Sequence, residues 1–222
     1  MPGAALNIAI EIPDVQLGVL EAEQARVGPA GEELAREMDA GCERLRRELS
    51  VEQVAELESI RGVRAMFRAW GVDPSRYRPS AEALLRRVVQ GKGLYRISNV
   101  VDISNLGSIE SGWPYGTYNR AAIESPVALR LGQAGEKYEG IGKQTWHLDR
   151  RPVLADRQGP FGSPISDSVR TMITDSAAEL LTVIYAPASG SRAALEKALE
   201  RLARRLERFA GARVSATAIL MR

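Results

Sequence analysis

The 222-residue chain contains one cysteine, Cys42, and one histidine, His147. A disulfide needs two thiols, and a structural zinc site draws about four ligands, chiefly cysteine and histidine. Both are excluded, and neither an HExxH nor a paired-cysteine spacing occurs. No metal and no organic cofactor is expected. Cys42 lies in a helical pattern without a nearby base and reads as a packed side chain rather than a nucleophile. His147, between Trp146 and Leu148 in a predicted strand, reads as structural or exposed. No stretch approaches the roughly 18 consecutive apolar residues of a membrane span. Residues 1–14 have no basic leader and turn acidic at Glu11, unlike a secretory signal. A cytoplasmic protein is expected.

Lysine is scarce as well. Only residues 92, 137, 143 and 197 are lysine, so 26 of the 30 basic residues are arginine. The planar guanidinium fork suits phosphate recognition. The acidic residues are interspersed, however, and a net charge of +2 does not by itself mark a nucleic-acid protein. No DNA partner is expected. Hydrophobic residues at 45% and charged residues at 26% match an ordinary soluble protein. The length suits a single domain over 1–222.

Alternation at 5–10 and 15–20, with Pro13 between, predicts two strands around a turn. Leu34, Met38, Cys42, Leu45 and Leu49 recur at helical spacing, and Ser50 with Gln53 forms a capping box for a second helix ending near Trp70. Ser80 is placed to cap a helix that turns Leu84, Leu85, Val88 and Val89 inward and stops at Gly91. Residues 98–110 follow as a helix with a polar side, broken by Gly112-Trp113-Pro114. Strands are predicted at 127–131, 146–148, 152–154, 168–174 and 179–186. In the last helix Leu195, Leu199, Leu202, Leu206 and Phe209 line one face, and Arg201, Arg204, Arg205 and Arg208 another. A closing strand over 214–221 completes an α/β fold, a mixed sheet with packed helices. That arginine face is either an RNA-backbone contact or a solvated face ion-paired with Glu196, Glu200 and Glu207. Gly91-Lys92-Gly93 lacks the residues of a phosphate loop, and Gly140-Ile141-Gly142 reads as a turn.

Asn99, Asp102 and Asn105 put short polar groups on nearly one face of an otherwise apolar helix. Such groups need hydrogen bonds if buried, so they either pin the next loop or line a polar pocket. The run Arg96-Ile97-Ser98-Asn99-Val100-Val101-Asp102-Ile103-Ser104-Asn105, followed by Gly112-Trp113-Pro114-Tyr115-Gly116-Thr117-Tyr118-Asn119, resembles the tRNA-binding editing domain (B-three/B-four) of the bacterial phenylalanyl-tRNA synthetase beta subunit. It looks closer still to the free-standing proteins built around that domain, whose pattern continues with Asp156 and Gly159 and with Asp167-Ser168-Val169-Arg170-Thr171. The likeness is densest over 78–187. Strands and helices at 1–77 and a helix and strand at 188–222 flank it.

The resemblance implies a pocket that accepts an amino acid esterified to the acceptor end of tRNA and admits water to cut the ester. An aminoacyl ester is already activated, so an oriented water and fixed donors at the developing oxyanion suffice. The implied catalytic residues are Asn99, Asp102, Ser163, Asp167, Arg170 and Thr171. Asn105, Trp113, Tyr115, Gly116 and Ser168 would hold substrate, and Arg201, Arg204, Arg205 and Arg208 would hold tRNA. Two departures stand out: Gly116 replaces the synthetase histidine of the Gly-x-Pro-x-His turn, and the pocket glutamate has no counterpart near Phe161-Gly162-Ser163-Pro164. The expected function is inspection and hydrolysis of mischarged aminoacyl-tRNA. The alternatives are a non-catalytic module of the same fold that binds tRNA, an amino acid or a small metabolite, and a partner subunit docking through the basic last helix.

Overall fold

In a computed structural model that describes residues 6–222, the predicted elements largely appear. Met1–Ala5, including the first residue of the 5–10 alternation, lie outside the described residues. Strands β1 (Ile8–Ile10) and β2 (Val15–Glu23) flank Pro13 and Asp14, whose φ of 60° turns the chain. They do not pair with each other. β1 joins one sheet and β2 another, because the turn is followed by a strand buried along most of its length.

Helix α1 (Glu32–Glu48) buries Leu34, Met38 and Gly41. Its acidic first turn and basic last turn match the helix dipole. The Ser50–Gln53 box forms as expected: the Ser50 N–H donates to Gln53 Oε1 at 2.7 Å and the Gln53 N–H to Ser50 Oγ at 3.4 Å. It opens only a short 3-10 turn, Gln53–Glu56, and extended backbone at Leu57 separates this from α2 (Glu58–Ala69). In α3 (Ser80–Val89), Pro79 takes the cap position and Ser80 is the first helical residue, its N–H donating to Pro164 O at 3.0 Å. In α4 (Asn99–Ser111), the Ser98 side chain accepts the Val101 N–H, and Gly112, at φ 72°, ends the helix.

Next come β3 (Tyr115–Asn119), β4 (Val127–Leu131), the hairpin of β5 (Lys137–Glu139) and β6 (Thr145–His147), β7 (Pro152–Asp156) and β8 (Gly159–Gly162). The chain closes with β9 (Leu180–Pro187), α5 (Arg192–Ala210) and β10 (Arg213–Met221). The strand expected at 168–174 is instead a 3-10 turn, Val169–Thr171. The Ser168 hydroxyl accepts the Arg170 N–H at 3.2 Å and Thr171 Oγ1 lies 3.4 Å from Phe161 O, so side-chain bonds take the place of a ladder.

The central sheet runs β10-β2-β9-β3, antiparallel throughout, and a second sheet runs β1-β4-β7-β8 with β1 parallel to β4. All of β9 is buried, as a strand covered on both faces must be. Leu195 of α5 packs on Gly18 of β2 on one side, and Tyr118 of β3 packs edge-on against Phe161 of β8, centroids 5.1 Å apart, on the other. A hydrophobic core runs from Leu6 to Ala212, and a smaller cluster joins Tyr138, Leu148 and Val153. His147 is exposed. No helix among the described residues is long and apolar enough to cross a membrane.

The arginine face of α5 is largely spent on glutamates. Arg205 is buried and donates to Glu37 of α1 and Glu110 of α4 at 2.7–2.9 Å, tying three helices together. Arg208 pairs with Glu33, Arg201 lies 3.6 Å from Glu110, and Arg204 lies 3.8 Å from Glu200. The ion-paired reading of this face therefore fits, although most partners come from other helices rather than from α5. Arg205→Ala leaves Glu110 without its buried partner and is expected to cost about 3 kcal/mol in urea denaturation. Arg204→Ala, on an exposed pair, should change stability by less than about 1 kcal/mol.

Candidate functional site

Strand alternation distributes the polar groups of β3. Thr117 faces the helices, where its hydroxyl meets Ser104 of α4 and lies 3.1 Å from the Thr182 hydroxyl of β9. Gly116 and Tyr118 face the second sheet. There the Tyr118 hydroxyl donates to Asp167 Oδ1 at 2.8 Å and lies 3.2 Å from the Tyr185 hydroxyl. The Ser163 N–H donates to the same Asp167 oxygen at 3.2 Å. Ser163 Oγ donates to Ser166 O at 2.7 Å, and Tyr138 donates to that carbonyl at 2.6 Å. A Cβ placed on either Gly116 or Gly162 would collide with the Tyr118 ring and hydroxyl. Glycine at both positions is what lets the phenol reach Asp167.

Asp167 keeps some exposure as a residue while its carboxyl group is enclosed. Burial pushes its pKa up to about 7, against the lowering effect of the Tyr118 and Ser163 hydrogen bonds. Burial holds the Tyr118 and Tyr185 phenols well above their ordinary range, with the Asp167 charge adding to the shift. The phenols therefore stay protonated, and Asp167 is the member of this cluster that exchanges a proton near neutrality.

β3 is an edge strand of its sheet. Pro114 O accepts the Tyr185 N–H at 2.9 Å, and the Arg120 N–H donates to Glu179 O at 2.9 Å, so even-numbered residues of β3 bond toward β9. The N–H of Thr117 points to the outer edge, next to the residue that holds Asp167, and has no acceptor among the described residues.

The sites named from sequence separate into groups. Gly116, Ser163 and Asp167 converge, whereas Asn99 and Arg170 do not join them. Asn99 donates to Arg26 O and Phe209 O at 2.8 and 2.9 Å and accepts from the Gly28 N–H at 3.1 Å, binding the start of α4 to two other segments. Asp102 accepts from the Ile97 N–H at 2.9 Å; its second oxygen is buried without a partner, and burial raises its pKa. Arg170 makes a two-pronged ion pair with Asp156 at 2.9 and 3.1 Å and donates to Ala122 O, closing the β7–β8 turn. Ser168 and Thr171 shape their own turn. Asn105 is half-buried, and its side chain has no hydrogen-bond partner among the described residues.

Trp113 is buried beside Gly190. Tyr115 packs on Gly107, and burial pushes its phenol up to about 12. Asn99 and Arg170, both assigned by the resemblance to one pocket, are engaged in separate contacts. Ser104 and Asp167 meet β3 from its opposite faces. The residues missed were Tyr118 and Tyr185. Tyr118 stands two positions after Gly116, hence on the same strand face, and that spacing was the available signal.

The fold and this cluster define a mixed α/β domain with a buried tyrosine–carboxyl site beside an open strand edge. The chain belongs to the B3/4 domain family, whose profile matches residues 62–211, a wider span than the 78–187 suggested by the motifs. It is 32% identical over 108 residues to the phenylalanine–tRNA ligase beta subunit of Streptomyces avermitilis, which covers 48% of this chain and 13% of that protein. The Thermobifida fusca beta subunit is 29% identical over 113 residues, covering 50% of this chain and 13% of that protein. The chain thus spans about an eighth of the length of these relatives. A crystallised N-terminal fragment of the phenylalanyl-tRNA synthetase beta subunit from Pyrococcus horikoshii is 12% identical, with a TM-score of 0.47 over 99% of this chain and 55% of that one.

Two outcomes follow for this cluster. The folded protein retains a proton on Asp167 that the unfolded chain has released, so Asp167 contributes stability below about pH 4 that is lost as pH rises through about 7. The difference in unfolding free energy between the native chain and Asp167→Asn should fall over that window and be level above it. Gly116→Ala must displace the fully buried Tyr118 and is expected to cost about 1–3 kcal/mol by the same measurement.

Proposed function

We propose that this chain inspects aminoacyl-tRNA and hydrolyses the ester of mischarged species, with Asp167 as general base. The observation that carries the reading is Asp167 itself, an enclosed carboxyl poised near neutrality and held by Tyr118 of the edge strand β3. Membership of the B3/4 domain family, and relatives named as phenylalanine–tRNA ligase beta subunits, support the choice of substrate. Asp167 takes a proton from a water, the water oxygen attacks the ester carbonyl, and the Thr117 N–H stabilises the resulting oxyanion. The proton then passes to the departing ribose oxygen, releasing a free amino acid and a tRNA hydroxyl. Tyr118 and the Ser163 N–H hold the carboxyl in place. Arg205, being buried in its own ion pairs, takes no part in binding tRNA.

A second reading, a binding module of the same fold without chemistry, is favoured by one feature. The Tyr118 ring occupies the space beside Gly116, where the synthetase carries a histidine. Incubating the purified protein with a panel of mischarged tRNAs separates the two. Release of amino acid is expected, rising with pH through about 7 as Asp167 loses its proton and then levelling off. Asp167→Asn should slow release by about a hundredfold or more. Absence of release from every member of the panel refutes the hydrolase and leaves the binding module.

A further inference from the structure

A cleft of about 370 Å³ opens where the loop after β9, the start of α5, the last turn of α4 and α2 meet. Its volume falls within the range of small-molecule sites. It is bounded by Trp113, Pro187, Ser191, Lys197 and Arg201 and is separate from the Asp167 cluster, with which it shares no lining residue.

Three features of its wall select for negative charge. Helix α5 starts here: Ser191 and Ala194 line the cleft, and the Ser191 hydroxyl accepts the Ala194 N–H at 3.3 Å. The first turn of this 19-residue helix carries no acidic side chain to balance its dipole. Trp113 supplies the second feature. It is only 6% exposed, lines the cleft, and its indole N–H has no acceptor among the described residues, whereas that of Trp70 donates to Pro13 O at 2.7 Å. Third, Ala194, Lys197 and Arg201 follow one another at helical spacing down the face of α5 that lines the cleft. Lys197 forms no ion pair among the described residues. Of the two acids in the wall, Glu110 is held by Arg205 at 2.7 and 2.8 Å and lies 3.6 Å from Arg201, so among the described residues Lys197 is the unpaired cation of the wall and Glu58 its remaining acid.

We propose that this cleft binds a small ligand through an oxyanion, a carboxylate or phosphate group seated on the start of α5 and shared with Lys197 and the Trp113 indole. Ser189 offers a further hydroxyl to the rest of the ligand, and Pro187 and the Trp113 ring offer it an apolar wall.

The chain has three tryptophans, so the indole N–H signals of the intact, isotope-labelled protein report the site directly. Trp113→Phe identifies the Trp113 signal. Titration with sodium phosphate, and separately with sodium acetate, at constant ionic strength set by chloride should move that signal saturably for at least one anion, with Kd on the order of 1 mM. The Trp70 signal should stay in place. Lys197→Met keeps the side-chain stem, leaves the other indole signals as a check on folding, and should weaken binding roughly tenfold. Saturation by phosphate alone assigns a phosphate-bearing ligand, and by acetate alone a carboxylate. No saturable shift with either anion, or an equal shift in the native protein and Lys197→Met, overturns the proposal.

Discussion

Pairing of β3 with β9 decides where the polar groups of this protein go. β9 is buried along its whole length between the helices and the second sheet, so β3, its outer neighbour, has one face toward each layer. Alternation then sends Thr117 to the hydroxyls of Ser104 and Thr182, and Tyr118 to Asp167. A slip of one residue in this register would exchange the two and leave a phenol against α4 and a hydroxyl against β8. The same edge position leaves the Thr117 N–H without a strand to bond. Candidate chemistry and sheet closure are thus two consequences of a single ladder.

Charge is handled by pairing at the seams between elements. Glu82, fully buried in α3, is held by Arg64 of α2 and Arg86 of its own helix at 3.0 and 2.9 Å, with Arg78 at 3.7 Å. Asp156 is clamped by Arg170, and Glu110 by Arg205. Arg86, Arg170 and Arg205 each reach more than one acceptor through the planar guanidinium, which a lysine ammonium does less well. The preference for arginine over lysine therefore has a use inside the fold. Removing one partner would leave a carboxylate in poorly hydrated surroundings, so these pairs act more as locks on geometry than as sources of net stability.

Helices were legible because their signals are local. Leu34 and Met38, Leu85 and Val88, and Leu195, Leu199, Leu202 and Leu206 are all buried where their spacing put them. Gly91, Gly112 and Gly211 adopt the positive φ expected of helix-ending glycines. Short strands were harder. β3, β5 and β8 hold three to five residues each, and β8 contains two glycines and a proline, so no periodic pattern has room to develop. The 168–174 segment failed for a different reason: Ser168 and Thr171 bond locally to backbone groups and stabilise a turn that hydrophobic content does not report.

Among the site residues, Asp167 and Ser163 were reached through motif likeness, and Asn99 and Arg170 were grouped with them for the same reason. Motif order does not encode which strand face a side chain takes or which carbonyl a carboxamide meets. The linear order of residues by itself determined most helical segments, the glycines that end three of them and the polar character of α4, because those depend on neighbours within a few positions. Only the tertiary structure decided that Asn99 is a brace, that Arg205 is buried, and that Tyr118 and Tyr185 raise the stakes at Asp167. Those outcomes rest on contacts between residues 49 to 168 positions apart, and on the loss of water around them, which no local pattern specifies.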